Sequence, residues 1–171
     1  MLQLNSVANV GVHRTCSPLY EKYQATPYNT FLDPTETANI YSGMVVYRTG
    51  PDTVALLDGA SSTAKPFGLS CLDRNANIDD VTQVGVNAWA VWLGGENAFF
   101  TITAPAFDTT QSYVVPSDGS RKLLYAGTSA AKGQLTTVSG VQGTAGAVAE
   151  LIDVLSPSQI VVRLIPAGAA V

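Results

Sequence analysis

The sequence predicts an all-β protein: a small β-barrel or sandwich-like domain with an extended N-terminal arm. Three observations predict it. Valine and threonine, at 19 and 17 copies, fill 36 of the 171 positions, and both are β-branched residues that pack well on a pleated surface. From Ile40 onward, short apolar runs alternate with Gly, Pro, Asn and Asp, which punctuate strands rather than helices. Before Ile40 no apolar period of 2 or 3.6 persists, so that part reads as an irregular strap. A chain of this length buries roughly 70% of its unfolded surface, enough for one real core.

The strap gives the organisation: an arm over residues 1–39 and a β-rich domain over residues 40–171. In the arm Tyr20, Tyr23, Tyr28 and Phe31 are spread among Pro18, Pro27 and Pro34. Prolines at that density exclude a long helix, although Pro34–Ala38 leaves room for a short one. Disordered leaders are poor in aromatics. Spaced rings on an irregular segment therefore point to a docking arm rather than a disordered leader, and removing residues 1–39 is expected to leave a folded domain.

In the domain, Met44–Thr49 and Thr53–Asp58 read as two strands of a hairpin about Gly50-Pro51-Asp52. Pro66–Leu72 is a third strand, and residues 73–80 a polar loop. Ala88–Leu93 is a fourth strand, and Gly94-Gly95 predicts a tight turn into Ala98–Thr103. Residues 105–120 are rich in turn formers. Lys122–Ala126 and Gln134–Val138 are short strands, followed by a loop bounded by Gly140, Gly143 and Gly146. Ala147–Val154 and Gln159–Ile165 flank Ser156-Pro157-Ser158 as a terminal hairpin.

Only 13% of residues are charged, against about 25% in ordinary soluble domains. A surface this neutral suits a protein much of which is covered by a partner. Nine basic and thirteen acidic residues give a net charge of −4 with no basic cluster, which argues against nucleic-acid binding. No run of 18 apolar residues predicts a membrane span, and the first residues lack the basic, apolar pattern of a signal peptide. Cys16 and Cys71 read as free thiols, so neither a metal nor a disulfide is expected to be needed for folding.

Catalytic and cofactor motifs fail on their mechanics. His13 is the one histidine, too few for a histidine metal site, and it lies in the arm, away from any triad in the β domain. The stretch Asp73–Asp80 alternates acids and amides like the start of a calcium loop, but Ile78 stands where the turn glycine belongs and Val84 where the bidentate Glu belongs. Asx turns account for those residues better. Gly94-Gly95 and Gly140–Gly143 lack the Lys and helix start of a phosphate loop. No serine sits in a nucleophile elbow, and nothing selects a carboxylate pair. No catalytic, cofactor or metal residue is assigned, and a non-enzymatic role is expected.

The order Gly43-Met44-Val45-Val46, Val54–Gly59, Pro66–Leu69, the polar 73–80 loop and the closing hairpin of Val148–Ile152 with Ile160–Leu164 resembles the head decoration, or cement, proteins of tailed bacteriophages. The resemblance covers residues 40–171. It implies a β-rich structural protein, often trimeric, on the outer face of an icosahedral shell, with some members reaching neighbours through N-terminal arms. The implied partners are the major capsid protein and further copies of the chain, with no nucleic acid, membrane or cofactor. A head-fibre base or tail component is the second reading, and a carbohydrate-binding β-module using Trp89, Trp92 and Tyr125 is the third.

The candidate contact residues are Tyr20, Tyr23, Tyr28, Phe31, Trp89 and Trp92. The two tryptophans are three apart, so on a regular strand they face opposite sides. The region from Val81 to Phe107 carries a single charge, Glu96. One tryptophan is therefore expected in the core and the other at a contact between copies, in a trimer.

Overall fold

The computed structural model describes residues 16–18, 27–74, 88–95 and 98–168. These form eleven strands and two single turns of 3-10 helix, at Ser129–Ala131 and Gly143–Gly146, and no α-helix among the described residues. The strands are β1 (Cys16–Pro18), β2 (Tyr28–Leu32), β3 (Val45–Arg48), β4 (Thr53–Leu56), β5 (Pro66–Ser70) and β6 (Ala88–Trp92). They continue as β7 (Phe99–Thr103), β8 (Leu123–Ala126), β9 (Leu135–Thr136), β10 (Ala149–Ser156) and β11 (Gln159–Leu164). The all-β class holds.

Two sheets share the strands. Five close into a barrel in the order β2-β4-β3-β5-β6, and six form an open sheet in the order β1-β7-β11-β10-β8-β9. Pairing is antiparallel except between β2 and β4. The expected hairpins are present as β3–β4, with Val46 opposite Leu56, and β10–β11, with Leu151 opposite Val162.

The boundary expected at residue 39 does not separate an arm from a body. β2 is a stave of the barrel, and Cys16 in β1 is a core residue, 1% exposed. β2 alternates as a half-buried strand should: Thr30 and Leu32 are buried, Asn29 and Phe31 exposed. Pro34–Ala38 forms turns, not a helix, because the Asp33 carboxylate accepts from the Thr35 N–H and hydroxyl and holds an Asx turn. Gly94-Gly95 does not join a hairpin either, since β6 ends in the barrel and β7 begins in the open sheet. Glycine is needed there for close approach: a Cβ on Gly94 would stand 2.2 Å from the Ile165 carbonyl oxygen. Of the polar 73–80 loop, residues 75–80 lie outside the described residues. Asp73 Oδ1 accepts from the Ser42 N–H, an anchor across the fold rather than a local turn.

Residues paired across strands share a face, so the register sorts the barrel. Tyr28, Thr30, Trp89, Val91, Ser70, Gly68, Val46 and Leu56 point inward. Val45, Leu69 and Trp92 point outward, yet Val45 and Leu69 are fully buried and Trp92 is 5% exposed. What covers them is the open sheet, whose inner face holds Phe100, Ile102, Leu124, Leu151, Ile160 and Val162, all buried. The Trp92 and Phe100 rings meet at the seam, 5.5 Å apart. Backbone bonds lock it: Val45 N–H to Gly133 O at 2.6 Å, Gly133 N–H to Leu57 O at 2.9 Å and Gly59 N–H to Gly127 O at 3.0 Å.

Gly68 marks the tightest inward point, where a Cβ would lie 2.2 Å from the Trp92 carbonyl oxygen and 2.6 Å from Val91. Backbone cannot yield as a side-chain tip can. Gly68→Ala is expected to cost about 1–3 kcal/mol as overpacking, read as a lower denaturant midpoint. An unchanged midpoint would show that β5 and β6 can separate without penalty.

Candidate functional site

Four of the six candidate contact residues converge on one strand pair. β2 and β6 run antiparallel, with Tyr28 opposite Val91, Thr30 opposite Trp89 and Phe31 opposite Ala88. Tyr28 and Phe31 thus lie beside Trp89 and Trp92, some sixty positions away in sequence. Tyr20 and Tyr23 lie outside the described residues.

Each of the four has a different environment. Phe31 points out of the barrel and is 51% exposed, with exposed Ala88 next to it on β6 and Thr53 beside it on β4. Tyr28 sits at the barrel mouth in a three-part stack. Its ring meets Phe67 edge-on at 5.5 Å, and the Arg48 guanidinium lies 4.4 Å from the Phe67 centroid and 5.4 Å from that of Tyr28. Arg48 also donates to the Tyr28 hydroxyl at 3.0 Å. Exposed cation–π contacts contribute about 0.5–1 kcal/mol, so the stack mainly fixes the shape of the mouth. Trp89 is buried inside the barrel, and its Nε1–H donates to Ser70 Oγ at 3.0 Å.

The two tryptophans do face opposite sides, but the chain hides both. The expectation that a chain of this size must leave one at its surface is not met, because the open sheet supplies the cover over Trp92. The aromatic platform of a carbohydrate-binding module is missing for the same reason. Trp89, Trp92 and Tyr125 are all buried, at 6%, 5% and 8% exposure, and none offers a face to a sugar ring.

Other exposed apolar residues were not among the candidates: Val114, Val115, Val138, Val141 and Leu155. The Val-Val step before Pro116 was the available sign, since it stands in a turn-rich segment with no strand to bury it. A cleft of about 510 Å³ opens between the start of β5 and the end of β11, lined by Lys65, Phe67, Val148, Leu164, Ile165 and Pro166 among others.

Glu36 has the most constrained charge in the described structure. Its side chain is 5% exposed and pairs with Lys132 Nζ at 3.1 Å. Its carboxylate also accepts from the Leu56 N–H at 3.1 Å and the Ala38 N–H at 3.0 Å. Burial pushes its pKa up, but the Ala38 and Leu56 amides and Lys132 outweigh it and hold the carboxyl below the ordinary glutamate range. Depressed in the folded state, this group stabilises the protein above the unfolded glutamate pKa, and the contribution disappears as pH falls through the folded value. Glu36→Gln is therefore expected to flatten the acid limb of the melting-temperature profile and to lower stability at pH 7 by about 1–3 kcal/mol. Parallel profiles for the two proteins would show that Glu36 is not the acid-sensitive clasp.

Among the described residues no group of three or more His, Cys, Asp or Glu could hold a metal ion. None of the described helices is long and apolar enough to cross a membrane.

Comparison with known proteins fits this picture. None of the curated proteins matches the chain. A chain of the solved structure titled "The capsid of Myoviridae Phage XM1" shares the fold, with a TM-score of 0.54 and 17% identity over 85% of this chain and 86% of that one. The model of a phage cement protein family matches residues 2–170. With nearly every residue matched, the chain belongs to the family of phage cement proteins.

Proposed function

We propose that this protein binds the outer surface of a phage capsid and stabilises the shell by bridging neighbouring capsomers, with the major capsid protein and further copies of itself as partners. Family membership over residues 2–170 carries the reading. The fold shared with a chain from a phage capsid structure supports it, as does a sequence with 13% charged residues. The chain assembles in the host cytoplasm and ends on the virion. A trimer multiplies weak contacts by effective concentration, so each interface can be small. Among the described candidates Phe31 is the contact residue best placed for this role, because its ring stands half in solvent.

The test uses purified shells that lack the protein. Full-length chain is expected to co-sediment with them, to add density at the outer seams between capsomers in particle images, and to run as a trimer in light scattering. Phe31→Ser is expected to keep its melting temperature and lose about tenfold in shell affinity, the amount that 1.4 kcal/mol of lost ring burial represents. Density confined to a head vertex or tail would favour the fibre-base or tail reading. Absence of co-sedimentation would remove the shell reading.

A further inference from the structure

Cys16 and Cys71 are 55 positions apart in sequence, yet the fold turns both into the seam between sheet and barrel. Cys16 pairs with Ile102 on β7, whose side chain is on the buried face of the open sheet. Cys71 follows β5 in step with Leu69, on the outward side of the barrel that the sheet covers. Gly43 lies between them. Its N–H donates to Ser70 O at 2.7 Å, Ser70 N–H donates to Met44 O at 2.8 Å, and a Cβ on Gly43 would come 3.1 Å from the Cys16 Cβ. Both thiols are free and buried. Burial pushes both far above the ordinary thiol range, with Asp73 adding to the effect at Cys16 and Cys16 adding to it at Cys71.

We propose that Cys16 and Cys71 are a disulfide-forming pair, reduced when the chain folds and closed by an external oxidant to tie β1 to β5 across the seam. With oxidised glutathione as oxidant, one cysteine thiolate attacks a glutathione sulfur and expels the first glutathione. The second cysteine then attacks the mixed disulfide and expels the other. One protein S–S bond forms, one glutathione S–S bond is lost, and the two thiol protons end on two reduced glutathiones. Because the thiols are buried and stay protonated, closure proceeds only when the seam opens briefly, and is slow. If the capsid reading holds, on which this clause alone rests, the bond forms after the particle has left a reducing cell.

The experiment needs no shell, so failure of the capsid reading leaves it unaffected. Full-length reduced protein is incubated with oxidised glutathione, quenched with acid and examined by thiol titration under denaturing conditions, intact mass and peptide mapping. Both thiols are expected to disappear together from a single chain. The mass should fall by two hydrogens, a peptide should link Cys16 to Cys71, and the melting temperature should rise until reductant is added. Cys16→Ala and Cys71→Ala should each abolish the rise. Persistent glutathione adducts, bridges between chains, or two thiols that survive repeated partial unfolding in oxidant would each overturn the pairing.

Discussion

Deleting residues 1–39 is expected to abolish the cooperative melt. The deletion takes a stave out of a closed barrel: β2 bonds to β4 on one side and to β6 on the other. Leu32 and Thr30 leave the barrel interior and Cys16 leaves the seam, all of them buried. Glu36 goes too, leaving the Leu56 amide without its acceptor and Lys132 without its partner. Losing one buried aliphatic side chain costs about 2–5 kcal/mol. A domain holds only about 5–15 kcal/mol in total, and opening the barrel removes several such contributions and exposes the edges of β4 and β6. Circular dichroism and a thermal scan are the measurements. A sigmoidal melt of native amplitude from the 1–39 deletion would mean that β2 is dispensable.

Trp92→Ala is the second large effect. Trp92 is the largest side chain spanning the seam, 5% exposed and against Phe100, which is fully buried. Truncating a buried aromatic costs about 3–5 kcal/mol, because the hole cannot collapse in a close-packed interior. Trp89→Ala costs a similar amount inside the barrel and also strips Ser70 Oγ of its indole donor. Urea midpoints measure both. If one tryptophan instead anchored a contact between copies, its alanine variant would keep the wild-type midpoint as a monomer and lose only its trimer, and light scattering beside the urea curve separates the two cases.

Strands with local signals were readable. The β3–β4 and β10–β11 hairpins showed as β-branched runs about Gly-Pro-Asp and Ser-Pro-Ser. β2 did not show, because Pro27 and Pro34 fence a short run with Asn29 and Thr30 at its centre, which locally resembles a loop. Its membership in the barrel comes from a parallel pairing with β4, residues 53–56, and no local pattern announces a non-local partner. The spacing of Trp89 and Trp92 correctly put them on opposite faces. It could not show that a second sheet waits behind the first. Glu36 in Pro-Thr-Glu-Thr-Ala reads as an ordinary surface acid, and becomes a buried clasp only when Lys132 arrives from 96 positions away. Tyr28 and Phe31 were singled out as aromatics, but which of the two stands in solvent is decided by the register of β2 against β6.

The order of the strands sets a timetable for synthesis. β1 is the first of the described strands to be made, yet its partner β7 lies beyond the entire barrel. As the chain leaves the ribosome, β2 through β6 can close on one another, while β1 waits for residues 99–103. Even then the sheet is incomplete, because β11 is the link between β7 and β10 and is the last of the described strands to emerge. Each of these closures spans a long loop, and its entropy must be met before the contact gives anything back. A copy whose translation stops short of residue 159 therefore has a barrel with no finished sheet to sit on, and its outward Val45, Leu69 and Trp92 remain uncovered for the cell's chaperones and proteases to find.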